Sequence, residues 1–254
     1  MRPGGGLPGA LAGTMLLAGL VLGPRPARAE PFLDAYTGVN FTRDADVDVK
    51  QRSAGNDFTV HDLSFSPRLS EGGPYWGVRA GYFFGEEPAW FGLAIEYFHF
   101  KIVGETGDTR EISGTRTGQP LDARVPVNTV VQRFESSNGV NYLTLDLLVR
   151  HGFLVDDEDY PHGRLQLYAG VGAGPVITYT RSTIDGVRRT PGYELAGAGV
   201  QGLAGVRLLL FKNVGIFAEG KYTHADLTVG VAGGHADLTE QSFHVVGGLS
   251  IVLP

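Results

Sequence analysis

The 254-residue chain has no cysteine, two methionines and two tryptophans. Without cysteine a disulfide-stapled scaffold is excluded. Helix-like periodicity and helix-capping signals are almost absent, so an α-helical fold is excluded as well. Beyond Ala29 no run of 18 or more apolar residues occurs, so no helix of that region spans a bilayer. If the chain is an integral membrane protein, strands must cross the membrane. Several catalytic templates are missing too: no GxSxG elbow, no HExxH and no Walker-type loop occurs. "GVGAGP" has the look of a phosphate loop, but no helical pattern follows it.

The first residues, "MRPGGGLPGALAGTMLLAGLVLGPRPARAEP", combine a positive start at Arg2, an apolar run over about Leu11–Leu22 and small residues at Ala27-Arg28-Ala29. The run is short for a membrane helix, and the pattern is that of a secretory signal peptide cut after Ala29. The domain division expected is therefore 1–29 signal peptide and 30–254 mature domain. The first 29 residues hold three arginines and no acid, leaving 18 basic against 27 acidic side chains, a formal charge of about −9. Such an acidic exported protein is not expected to bind nucleic acid.

What is abundant is glycine, with 38 residues, and alternation with a period of two. Eight candidate strands follow: roughly Pro31–Phe41, Tyr75–Phe84, Phe91–Val103, Asn138–Phe153, Arg164–Tyr179, Ala196–Phe211, Val214–Thr223 and Ser242–Leu253. Most reach ten residues, whereas globular strands peak at about five or six and tilted membrane strands need about 9–11. The connections between them alternate long and short, from the thirty-odd residues after Phe41 to the two-residue turn Lys212-Asn213. This is the asymmetry of a transmembrane barrel, with tight turns on one side and long mobile loops on the other. The expected fold is an all-β, eight-stranded, antiparallel, up-and-down transmembrane β-barrel with both termini on the short-turn side.

The orientation of each face follows from strand parity. In "LLLFKNVGIFAEGKYTHA", Phe217, Glu219, Lys221 and Thr223 share one side, and Val214, Ile216, Ala218 and Tyr222 the other. Leu143, Leu145, Leu147 and Val149 likewise oppose Thr144, Asp146 and Arg150. In a closed barrel in lipid the apolar faces look outward and the polar faces inward. Gly170, Gly172, Gly174 and Gly205 then face a narrow lumen, since an eight-stranded barrel has room only for its own side chains. Tyr36, Trp76, Tyr82, Trp90, Phe91, Tyr97, Tyr142, Tyr179, Phe211 and Tyr222 sit toward strand ends, where aromatic girdles form. In "EYFHFKI", Glu96 or His99 faces inward, but not both without a bulge.

With these strands in place, "VGIFAEGKYTHA" resembles the penultimate strand of the OmpA-like outer-membrane β-barrels of Gram-negative bacteria. The resemblance covers about residues 30–254 and implies a Gram-negative outer-membrane location, lipid and lipopolysaccharide as neighbours, and passage through the barrel-assembly machinery. The ending "SIVLP" departs from the terminal aromatic common in that group. A narrower set, "GVNF", "GPYWGVRAGYFF", "FESSNGVNYLTLDLLVR", "YELAGAGVQGLAGVR" and "FAEGKYT", is similar to the rhizobial lipid A oxidase group. That likeness implies oxidation of the proximal glucosamine of lipid A and transfers no catalytic residue to this chain. The His-Ser-Asn type motif expected of lipid A deacylases is absent.

The residues able to carry chemistry are lumen charges by parity: Asp34, Arg79, Glu96, Asp146, Arg150, Arg207, Glu219 and Lys221, with His244 nearby. Ionised groups in a tight barrel must be paired, so a salt-bridge plug is expected; a gated small pore, or a catalytic constellation near the rim where perturbed carboxylates do acid–base work, is the sharper alternative. Two "HAD" copies, His224–Asp226 and His235–Asp237, are expected in an outer loop as solvated residues, with a divalent ion as the minority alternative. Basic residues expected in loops (among them Arg43, Lys50, Arg110, Arg116 and Arg189) could meet lipopolysaccharide phosphates. No cofactor or metal is called for, and a monomer is expected. Three functions remain open: a structural or interaction protein at the lipopolysaccharide surface, a lipid A-modifying enzyme, and a narrow diffusion pore.

Overall fold

The computed structural model describes residues 30–67, 74–84, 90–156 and 158–253. The expected signal peptide and the terminal Pro254 lie outside the described residues. Among those described, the strands in chain order begin with β1 (Glu30–Thr42), β2 (Ala45–Gln51), β3 (Asn56–Leu63), β4 (Phe65–Ser66) and β5 (Trp76–Phe84). There follow β6 (Phe91–Gly104), β7 (Thr109–Arg116), β8 (Gln119–Pro126), β9 (Val131–Phe153) and β10 (Leu165–Tyr179). The last are β11 (Arg181–Ile184), β12 (Val187–Arg188), β13 (Tyr193–Phe211), β14 (Val214–Val231) and β15 (Gly234–Val252).

Eight of these close a ring in the order β1-β5-β6-β9-β10-β13-β14-β15. The last strand returns antiparallel to the first, from Phe32↔Val252 to Thr42↔Ser242. Every pairing around the ring is antiparallel, so no strand edge in the ring is left to face hydrocarbon. This is the expected eight-stranded barrel, and the sequence parity orients it. Leu145, Leu147, Val149, Leu249 and Ile251 are exposed on the outer wall, while Asp34, Asp146, Ser250 and His244 are fully buried inside. A glycine is required where side chains cross the narrow lumen. A Cβ on Gly77 would lie 2.2 Å from the ring of Tyr36, which fills that level. Gly170, Gly172, Gly174 and Gly205 also face the lumen, as their partners Leu148, Asp146 and Tyr168 on β9 and β10 do.

Two expectations need correction. Tyr36 and Tyr142 do not join the aromatic girdle: they share parity with Asp34 and Thr144 and are buried in the lumen. Nor are the described residues of the long connections loops: most of them form strands. Beyond Glu240, β15 leaves β1 and pairs with β2, from Leu238↔Val47 to His235↔Lys50. The sheet then continues β2-β3-β7-β8. On the other flank β11 pairs with the start of β9 and with β12. These strands build a second storey on the barrel with an apolar core that includes Val49, Phe58, Val60, Ile112, Ile184, Leu227, Val229 and Ala236.

Strand β14 displays the change between storeys along one line. Its inward residues read Phe217, Glu219, Lys221, Thr223, then Ala225, Leu227, Val229, Val231; all are buried. Its outward residues read Ile216, Ala218, Gly220, Tyr222, then His224, Asp226, Thr228. Polarity inverts at Thr223–His224 without a break in the strand. On β15 the same inversion falls between Gln241 and Phe243. Below the switch the wall faces lipid and must be apolar outside; above it the wall faces water and must be apolar inside. The outer surface of the bilayer therefore lies near His224 and Gln241.

Candidate functional site

The structure brings seven of the eight parity-assigned charges into one group connected by ion pairs. At the waist, Arg79 donates to both oxygens of Glu219 at 2.8 and 2.9 Å and to Glu96 at 2.8 Å. Lys221 reaches Glu96 at 2.7 Å and Glu219 at 3.6 Å. The side chains of Arg79, Glu96, Glu219 and Lys221 have no exposed surface. Asp146 stands 3.8 Å from Arg79 Nε. Nearer the inner mouth Arg207 grips both oxygens of Asp34 at 3.0 and 2.9 Å, and Asp34 approaches Arg79 at 3.6 Å. Arg150 pairs with Glu30 and joins this group through Gln166, whose Oε1 accepts from Arg150 at 3.4 Å and from Arg207 at 3.5 Å.

Three of the four lumen cations are also covered by rings. Lys221 lies 4.2 Å from the centre of the Phe98 ring, Arg150 4.0 Å from Phe83, and Arg207 5.2 Å from Phe32. Bidentate, charge-assisted hydrogen bonds and cation–π contacts are what make buried ions tolerable. Sequence reasoning missed several members. Glu30 precedes the first expected strand, Pro31–Phe41, so strand parity gives it no face. Tyr36, read as a girdle residue, donates to Glu96 at 2.5 Å. Gln201 carries no charge, yet it donates to Glu96, Thr144 and Asp146 at 2.6–2.9 Å. Parity places Gln201 and Tyr36 inward as well, but neither carries a formal charge.

Above the waist a second polar cluster closes the lumen. Glu240 accepts from Tyr142 at 2.5 Å, from Thr223 and from Ser242, and Thr223 meets His244 Nε2 at 3.0 Å. His244 is wedged edge-on against Phe100 and Phe98, with ring centres 4.8 and 6.0 Å away. A Thr–His contact beside a carboxylate has the components of an activated nucleophile. Here all are buried beneath the apolar storey.

The outer storey is latched at its summit. Asn56 donates to Gln51 at 2.8 Å and Asp185 at 3.0 Å and accepts from the Thr117 amide at 2.7 Å. Arg116 clamps Asp185 at 2.6 and 2.9 Å, and Gln51 reaches Ala232 O. Four hairpin tips thus meet through side chains on three of them. Arg189 pairs with Glu194, Lys50 with Asp237, and Arg110 with Asp108, so much of the outer basic charge is already engaged.

The HAD copies are strand residues on the outward face, a correction to the loop assignment. His224 lies opposite Gln241 and His235 opposite Gly230, six residues along β14, about 20 Å apart. They cannot share one ion, and among the described residues no three His, Asp, Glu or Cys side chains are grouped to hold a metal. Beside them a surface hollow of about 520 Å³ is lined by Asp44, Asp46, Asp48, Asp226 and Asp237 with Arg43. Glu96 faces inward and His99 outward, and the bulge falls later, between Phe100 and Ile102.

No family model and no curated protein sequence matches the chain. Solved structures do. The outer membrane protein OprG from Pseudomonas aeruginosa is 13% identical, with 89% of this chain and 97% of that one covered and a TM-score of 0.45. The outer membrane protease OmpT from Escherichia coli is 9% identical, with 92% and 99% covered and a TM-score of 0.42. Neisserial surface protein A is 11% identical, with 88% and 96% covered and a TM-score of 0.40. A closed antiparallel ring with an apolar outer belt and a charged interior is a transmembrane β-barrel of the outer-membrane type.

Proposed function

We propose that the protein is a structural and docking protein of the Gram-negative outer membrane that works on its outer surface, in contact with lipopolysaccharide. The observation that carries this reading is the filled interior: paired charges occupy the waist with no exposed side-chain surface, and an apolar storey covers them. A filled interior favours neither diffusion nor chemistry inside the barrel and leaves the outer wall as the working surface. Purified protein in lipid nanodiscs, released for native mass spectrometry, is expected to retain lipopolysaccharide in preference to phospholipid. Lipid A from cells with and without the gene is expected to have the same mass profile. A lipid A species that appears only with the gene would replace this reading with the lipid A-modifying enzyme. Stepwise conductance in a planar bilayer would replace it with a pore.

A further inference from the structure

One polar cluster lies on the wall that faces lipid, outside the lumen and level with the polarity switch. It joins three neighbouring strands: Trp76 at the start of β5, Tyr97 and His99 within β6, and Asn141 within β9, with His99 directly between Trp76 and Asn141 in the ladder. Asn141 Oδ1 accepts from Tyr97 at 2.8 Å and from His99 Nδ1 at 2.9 Å. Its amide nitrogen donates to Ile177 O at 2.9 Å and Gly139 O at 3.2 Å. Both of those partners are acceptors, so the amide orientation is set. An amide oxygen only accepts, so His99 carries a proton on Nδ1, and its neutral ring then presents Nε2 as a lone pair.

The ring is also seated. A Cβ on Gly139 would lie 2.1 Å from two atoms of the His99 imidazole, and Gly139 has φ +104°, a backbone shape other residues rarely adopt. Trp76 stacks beside it, with ring centres 6.2 Å apart and planes 23° apart, and remains 37% exposed. Asn141 is satisfied four times over, although it belongs to the outer wall. Among the described residues His99 bonds through Nδ1 alone, and neither its Nε2 nor the Trp76 indole nitrogen has a hydrogen-bond partner. A lone acceptor at the lipid boundary is costly unless a donor meets it.

We infer that Trp76, His99 and Asn141 form a site for the sugar ring of an outer-leaflet glycolipid. The exposed indole offers an apolar plane to the C–H face of a pyranose, and His99 Nε2 accepts from a ring hydroxyl. Asn141 and Gly139 position the histidine. The occupant is lipid-borne because the cluster opens sideways into the boundary layer, at the depth where headgroups begin. This inference rests on the lipopolysaccharide-surface reading above.

The chain has only two tryptophans, Trp76 and Trp90, so Trp90→Phe leaves Trp76 as the sole indole reporter. In vesicles of phosphatidylethanolamine and phosphatidylglycerol, adding lipid A is expected to change Trp76 emission saturably. Neither extra phosphatidylglycerol, which adds charge without a sugar, nor free glucosamine in the buffer is expected to do so. Adding His99→Phe, which keeps an aromatic ring and removes the acceptor, is expected to weaken the response about fivefold, the loss of one neutral hydrogen bond. Heat-modifiable gel mobility checks that both variants remain folded. An equal response to phosphatidylglycerol or to free glucosamine, or a response unaltered by His99→Phe, overturns the site. Native mass spectrometry separates the two failures: lipopolysaccharide retained with Trp76 silent removes this site alone, whereas lipopolysaccharide not retained removes the broader reading too.

Discussion

At the residue scale, the interior is governed by pairing. Arg79 serves Glu219 and Glu96 together and stands within 4 Å of Asp34 and Asp146. Arg79→Met would leave those carboxylates uncompensated and is expected to destabilise the barrel by roughly 3–5 kcal/mol, read from urea-dependent folding into detergent micelles. Size matters as much as charge at the same level. Gly77→Ala would drive a methyl group into the Tyr36 ring, with an expected cost of about 1–3 kcal/mol from overpacking. The single variant Thr144→Val removes one hydrogen bond to Gln201 and should be milder than either, about 1 kcal/mol. The charged members of this group were legible from parity because a two-residue period leaves no choice of face. Gln201 and Tyr36 were equally placed by parity, but nothing in the sequence says that an uncharged side chain will be the one to join three acceptors.

At the element scale, the outer segments are the main departure from expectation. "ADVDVKQ" alternates Val47 and Val49 against Asp46, Asp48 and Lys50, and the tip Ala232-Gly233 joins two alternating runs. These patterns are weak because the strands are short, and the acidic residues between the valines suggest loop. What stabilises them is burial against partners remote in sequence: Val47 packs with β3 and β15, not with its chain neighbours. Amide hydrogen exchange provides the check. Segments 45–51, 56–63 and 109–116 are expected to exchange slowly, on the scale of the barrel strands rather than of free loops. Asp185→Ala is expected to raise exchange around residues 181–188 and 116–118, because it removes the partner of Arg116 and Asn56, and to leave the barrel strands unchanged.

At the scale of the whole molecule, the inversion of polarity along β14 and β15 sets the depth of the protein in the membrane. The absence of native cysteine allows single labels to test it. A spin label at Ile216 is expected to be accessible to oxygen and shielded from a water-soluble nickel chelate, and a label at Asp226 the reverse. Labels that behave alike would contradict the placement of the bilayer surface near His224. The filled lumen makes a further expectation: the folded protein in a planar bilayer is electrically silent.

The sequence alone determined the barrel: its strands, their antiparallel order, the outward apolar belt and the inward charges. It could do so because hydrocarbon imposes one rule on every residue of a spanning strand, and that rule has a period of two. Only the tertiary structure decided that the long connections form a second, inverted storey, and that His99, Trp76 and Asn141 come together on the outer wall. Those arrangements depend on contacts between segments far apart in the chain, where each short strand is stabilised by neighbours whose identity local alternation does not encode.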